Sequence, residues 1–93
     1  MRRRAKVDSN QSDIVKALRG VGCSVQSLAA IGKGCPDLLV GRTGLNWLME
    51  VKVGSRPPSE RRLTPLEIKW AAEWGGEVHI VLSPAEALAI VGA

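Results

Sequence analysis

Asp37, Glu50 and Lys52 combine two carboxylates and an ammonium at a spacing that strand geometry would bring together. Along the run Asn46 to Val53, side chains alternate between two faces. Glu50 and Lys52 then project from one side, and Trp47, Met49, Val51 and Val53 from the other. The second set is wholly apolar and suits packing against helices. A carboxylate and an ammonium are left on the opposite face of a central strand, where neither belongs without a purpose. Asp37 opens the preceding apolar run, which ends at Gly41, and Arg42-Thr43-Gly44-Leu45 supplies a glycine for the turn between the runs. A symmetric hairpin centred between Thr43 and Gly44 sets Asp37 opposite Glu50. Facing Cβ atoms lie about 4.5–5.5 Å apart across an antiparallel pair, and like charges placed so repel unless a cation lies between them.

Oxygen ligands favour a hard cation, so Asp37, Glu50 and the carbonyl of Val51 suit Mg²⁺ or Mn²⁺, with waters completing the octahedron. A metal-bound water is then the nucleophile, and Lys52 orients it or stabilises developing charge. The reaction class implied is phosphodiester hydrolysis. The plain alternative is a solvated Glu–Lys pair, with Asp37 merely following Pro36 in a turn. Other chemistries have less support. His79 is the sole histidine and sits in an alternating strand, which suits a structural side chain and disfavours zinc. Cys35 has no histidine at a recognisable spacing and suits space filling. The Gly-rich stretch before Pro36 fails the P-loop pattern, with Ser27 where the first glycine belongs and no Ser or Thr directly after Gly32-Lys33.

The elements that must position this trio can be read around it. Ser9-Asn10-Gln11 offers capping chemistry before the apolar set Ile14, Val15, Leu18 and Val21, which predicts a first helix ending near Gly20 or Gly22. Ser24 to Leu28 reads as a strand, followed by a flexible approach to Pro36. After the hairpin, residues 54–62 are rich in Pro, Ser and charge and read as a mobile loop whose two prolines exclude a regular element. Thr64-Pro65-Leu66-Glu67 is a capping box with proline at the first helical position, which predicts a second helix to about Trp74. Glu77 to Leu82 reads as a strand, and Ser83-Pro84-Ala85-Glu86 repeats the cap before a short last helix. The order α-β-β-β-α-β-α makes an α/β fold with a central mixed sheet flanked by helices.

The 93 residues suit one domain, read as a basic tail over 1–8 and a single folded unit over 9–93, with a thin core. Apolar residues make up 45% and charged residues 24%, ordinary for a soluble domain. No apolar run approaches a membrane span and no secretory apolar core follows the first residues, so a cytoplasmic location is expected, without membrane partners. The two cysteines, Cys23 and Cys35, are expected as thiols. The net charge of +4 makes polyanion binding plausible. Arg2, Arg3, Arg4, Lys6, Lys33, Arg56, Arg61, Arg62 and Lys69 are the candidate phosphate contacts, although such residues also occur simply as solvated surface. Trp47, Trp70 and Trp74 are the only large aromatic side chains; Trp47 is expected buried, and Trp70 or Trp74 nearer an interface.

Gly34-Cys35-Pro36-Asp37-Leu38-Leu39-Val40-Gly41 followed by Met49-Glu50-Val51-Lys52 resembles the core of the PD-(D/E)XK nucleases, and more closely their VRR-NUC branch. Asn10-Gln11 and Leu63-Thr64-Pro65 also look like the small stand-alone VRR-NUC proteins of phages and bacteria, so the resemblance covers nearly the whole chain. It implies a restriction-endonuclease-like fold and a Mg²⁺- or Mn²⁺-dependent DNA endonuclease leaving 5′-phosphates. It further implies a homodimer similar to Holliday junction resolvases, acting on branched or duplex DNA without a small-molecule cofactor. Asp37, Glu50 and Lys52 carry over directly. Relatives with resolvase activity often have a glutamate in the first helix, where this chain has Gln11, so one or two metals remain open. At about 100° per residue Gln11 shares a face with Ile14 and Leu18, while Asp13 does not; a plain capping role for Gln11 stands beside the catalytic one. Glu67 stands where many relatives have Gln, and its cap suffices to explain it, leaving it an auxiliary place. Two rival functions remain: a catalytically weak or inactive nucleic-acid-binding module of the same fold, and a dimeric interaction domain.

Overall fold

The computed structural model describes residues 9–93. The basic tail, with Arg2, Arg3, Arg4 and Lys6, lies outside the described residues. Helix α1 spans Ser9–Gly20, strand β1 Ser24–Ser27, β2 Leu38–Arg42 and β3 Leu45–Val51. Helix α2 spans Pro65–Glu73, β4 Val78–Val81 and α3 Pro84–Ile90. The expected order of elements is the one observed.

The strands form one mixed sheet in the order β1-β2-β3-β4. β1 and β2, and β2 and β3, pair antiparallel, whereas β3 and β4 are parallel. A parallel pair needs a crossover rather than a hairpin, and the segment carrying α2 supplies it. Helices α1 and α3 pack on each other and cover one face of the sheet. Ile14 and Leu18 of α1, Ala87 of α3 and Val91 meet Leu38, Val40, Met49, Val51 and Val81 in the core. Alternation sends Leu39, Leu48, Glu50, Val78 and Ile80 to the other face, where Leu39 and Ile80 are exposed and Glu50 is buried.

The hairpin turn is tighter than the sequence suggested. Arg42 still pairs with Leu45, so Thr43 and Gly44 alone form the loop, with φ of 51° and 85°. Both residues are left-handed, as a two-residue turn matched to strand twist requires. The register is Leu38 with Met49 through Arg42 with Leu45. Extended by one residue, it sets Asp37 opposite Glu50, as expected.

Both later caps form. Thr64 Oγ1 accepts from the Glu67 N–H while the Glu67 carboxylate accepts from the Thr64 N–H, a full capping box. At α3, Ser83 accepts from the Glu86 N–H, but the Glu86 carboxylate reaches back to the Leu82 N–H instead. Two expectations need correction. Residues 54–62 do contain a regular element, a 3₁₀ turn over Pro58–Glu60, because prolines at its first positions forgo only N–H groups the turn would not bond. Trp47 is half-buried against the core rather than enclosed by it, since compact aliphatic side chains already fill that space.

Candidate metal centre

Glu50 is the buried charged residue of the sheet, 4% exposed. It sits at the C-terminal end of β3, one residue before the strand stops. Asp37 lies just before β2, and its Oδ2 accepts from the Val51 N–H at 2.7 Å. That bond fixes the Asp37 carboxylate beside Glu50 and brings the Val51 backbone into the site. Lys52 follows directly. Its ammonium donates to Glu67 Oε1 at 2.8 Å and lies 3.8 Å from Glu50 Oε2.

Burial pushes the Glu50 carboxyl up to about 9, aided by hydrogen bonding to Asp37 and by the charges of Asp37 and Glu67. At neutral pH Glu50 therefore keeps its proton, which removes the like-charge repulsion that a cation would otherwise offset. Glu67 behaves oppposite to Glu50. Burial favours its neutral form, but the hydrogen bonds from Lys52 and the Thr64 N–H, with the Lys52 charge, bring it below the usual carboxylate range. Cys35 is raised by burial and then by Glu50 and Asp37, so it is a poor nucleophile at neutral pH.

The donor set fits a hard divalent cation. Asp37 and Glu50 offer two carboxylates, the Val51 carbonyl is a neutral oxygen beside them, and an ion of the Mg²⁺ type takes its remaining ligands from water. Among the described residues no three of His, Cys, Asp and Glu group into a ready-made protein cage. Such a cage suits zinc or calcium better than magnesium.

Asp37, Glu50, Val51 and Lys52 are thus brought together. Gln11 is half-buried on α1 and lines a surface concavity with Ser12, Asp13, Val15, Lys16 and Arg19, which holds none of the other four. Lys33 and Lys69 flank a second concavity with Leu66, Trp70 and Glu73. Arg56, exposed, pairs with Glu60, and Lys69 with Glu73. Arg62 is exposed, while Arg61 is half-buried, its Nε lacking a hydrogen-bond partner among the described residues. His79 is half-buried, 3.6 Å from Glu77, with no part in the site. Trp70 and Trp74 stack at 4.8 Å.

Two residues deserve more weight than their sequence positions suggested. Asn10 Nδ2 donates to the carbonyls of Lys52 at 2.7 Å and Leu82 at 3.2 Å, tying α1 to the ends of β3 and β4. Its spacing of four from Ile14 carried that signal, since it sets Asn10 on the buried face. Glu67 is the other: its capping box is a sufficient explanation in sequence and so conceals its contact with Lys52.

No family model matches this sequence, and no curated protein matches it. A solved structure described as a VRR_NUC domain aligns with a TM-score of 0.60 and 26% identity, covering 87% of this chain and 88% of that one. The fold is that of a VRR-NUC domain. This makes the chain a nuclease-like domain.

Proposed function

We propose that this protein is a Mg²⁺- or Mn²⁺-dependent endodeoxyribonuclease that hydrolyses phosphodiester bonds, selects branched or otherwise structured DNA and leaves 5′-phosphate ends. The observation that carries this reading is the pairing of Asp37 with buried Glu50 at the end of β3, with the Lys52 ammonium 3.8 Å from Glu50, on a VRR-NUC fold. Asp37, Glu50 and the Val51 carbonyl would hold the ion. When bound, it would lower the pKa of a coordinated water and neutralise phosphate charge. The protein's own part is to hold two carboxylates on rigid backbone, with Asp37 tied to the Val51 N–H, and to set an ammonium where negative charge develops on the phosphodiester. Gln11 would join the catalytic set from the first helix on the strength of the sequence resemblance, since its concavity on α1 holds none of the other four.

Lys33, Arg56, Arg61, Arg62 and Lys69 would contact phosphates, joined by Arg2, Arg3, Arg4 and Lys6. A homodimer belongs to the same reading, supported by the exposure of Leu66, Ile68 and Trp74 on α2 and of Ile80 on the sheet. The domain division, with the tail at 1–8 and the nuclease unit over 9–93, is part of it too. The test incubates plasmid and branched DNA with Mg²⁺, Mn²⁺ or chelator and maps the cut ends. Cleavage should require the metal and disappear in Asp37→Asn and Glu50→Gln while DNA binding persists. Cleavage surviving in both purified variants would refute the site.

An amide rather than a carboxylate at Gln11, together with the clustered basic residues, favours one second reading, a catalytically weak nucleic-acid-binding module of the same fold. DNA binding without cleavage of any form in either metal would establish that reading instead.

A further inference from the structure

Lys52 is held at three points. Its N–H donates to the Val81 carbonyl at 3.0 Å, and its carbonyl accepts from Asn10 Nδ2 at 2.7 Å. Its ammonium donates to Glu67 Oε1 at 2.8 Å. The 3.8 Å to Glu50 is too long for a hydrogen bond, so Glu67 and not Glu50 fixes the end of this flexible side chain. The same Glu67 oxygen accepts from the Thr64 N–H at 2.8 Å, and Thr64 Oγ1 accepts from the Glu67 N–H at 3.3 Å. A capping box needs only the Thr64 contacts, and it forms as readily on an exposed helix end. Here the side chain of Glu67 is 17% exposed and that of Lys52 13%, so the pair is enclosed together. Salt and solvent weaken such a pair far less than one at the surface.

The geometry points to Glu67 as the positioning residue for Lys52: one carboxylate oxygen, fixed by the α2 N-cap, holds the ammonium at the Asp37–Glu50 pair. The consequence for catalysis rests on the nuclease reading above, while the contact itself does not. Placement of the lysine then depends on α2, the crossover helix between β3 and β4. Gly34 supports the arrangement from the other side. It has φ of 87°, and any Cβ there would collide with the Leu66 carbonyl, so the loop leading to Asp37 packs directly on the first turn of α2.

Two measurements test this. In ¹⁵N-labelled protein at low temperature and mildly acidic pH, the Lys52 ammonium should give a correlation, assigned by its loss in Lys52→Met. It should vanish in Glu67→Ala and persist, shifted, in Glu67→Gln, which keeps an acceptor oxygen. A Lys52 signal unchanged in Glu67→Ala would overturn the proposal. In Mg²⁺-dependent cleavage, Glu67→Ala should lower kcat about tenfold or more with KM for DNA nearly unchanged, and should have no further effect in a Lys52→Met background. A kcat loss of equal size in that background would also overturn it, because Glu67 would then act through helix stability, which Thr64→Ala measures separately. A wild-type protein that cuts no DNA defeats the nuclease reading alone, and the ammonium measurement still decides the contact.

Discussion

Glu50 carries an acid that is neutral at physiological pH, and the sign of its effect follows. Its carboxyl is raised from 4.5 to about 9 in the fold, so between those values the native protein holds a proton the unfolded chain has lost. Stability of the metal-free protein must therefore fall as pH rises through that window. Glu67 is lowered, so its contribution is present above the ordinary glutamate value and lost as pH falls through its folded one. Together they place the stability optimum of the metal-free protein on the acid side of neutrality, which thermal melts across pH will locate. Glu50→Gln mimics the neutral acid and should flatten the alkaline limb while ending cleavage. A metal ion held by Glu50 would have to displace its proton. Calorimetry in buffers of different ionisation enthalpy should show close to one proton released at pH 7, and affinity should rise about tenfold per pH unit below the Glu50 value. Affinity independent of pH would remove Glu50 from the ligand set. Asn10 makes a second test at this scale. Asn10→Ala leaves the Lys52 and Leu82 carbonyls without their donor and should cost about 1–3 kcal/mol, measured by urea denaturation.

At the scale of elements, the hairpin turn has an avoidable cost. Thr43, a β-branched residue, is held at φ of 51°, a left-handed conformation that costs a non-glycine residue on the order of 1 kcal/mol or more. Thr43→Asn should raise the melting temperature by a few degrees without altering cleavage, and a lowered value would mean that the Thr43 hydroxyl bond to the Arg42 carbonyl outweighs the strain. The hairpin was legible in the sequence because a strand has period two: a turn at Thr43-Gly44 determines which residues face each other, and Asp37 and Glu50 follow. The helix starts were legible because caps are local chemistry. What the sequence hid was contact between remote elements. Nothing in the spacing of Lys52 and Glu67, or of Asn10 and Leu82, announces a hydrogen bond, because tertiary packing alone sets those distances. The 3₁₀ turn was missed for a different reason, since the prolines that break a helix interior are compatible with its first turn.

At the scale of the molecule, the charge distribution governs how DNA would be met. Among the described residues, Lys33 and Lys69 lie on one concavity beside Trp70, and Arg62 lines another at the start of α2. Lys69 and Arg56 are engaged by Glu73 and Glu60, but exposed pairs of this kind are worth only about 0–1 kcal/mol and give way readily to a phosphate. Arg61 is different, because a buried Nε without a partner invites an acceptor. If these residues track a phosphate backbone, log affinity should fall linearly with log salt, at about −0.9 per duplex phosphate neutralised. Arg62→Ala and Lys33→Ala should each reduce that slope by about one while weakening branched and linear DNA alike, since phosphate contacts carry no sequence information. Deleting residues 1–8 should lower it further if the tail joins the contact. Fluorescence anisotropy on labelled duplex and branched DNA across a salt series, with Ca²⁺ in place of Mg²⁺ to hold back cleavage, measures all of these. A flat salt dependence in the full-length protein would mean that this basic surface is solvated rather than bound, and DNA would no longer be its natural partner.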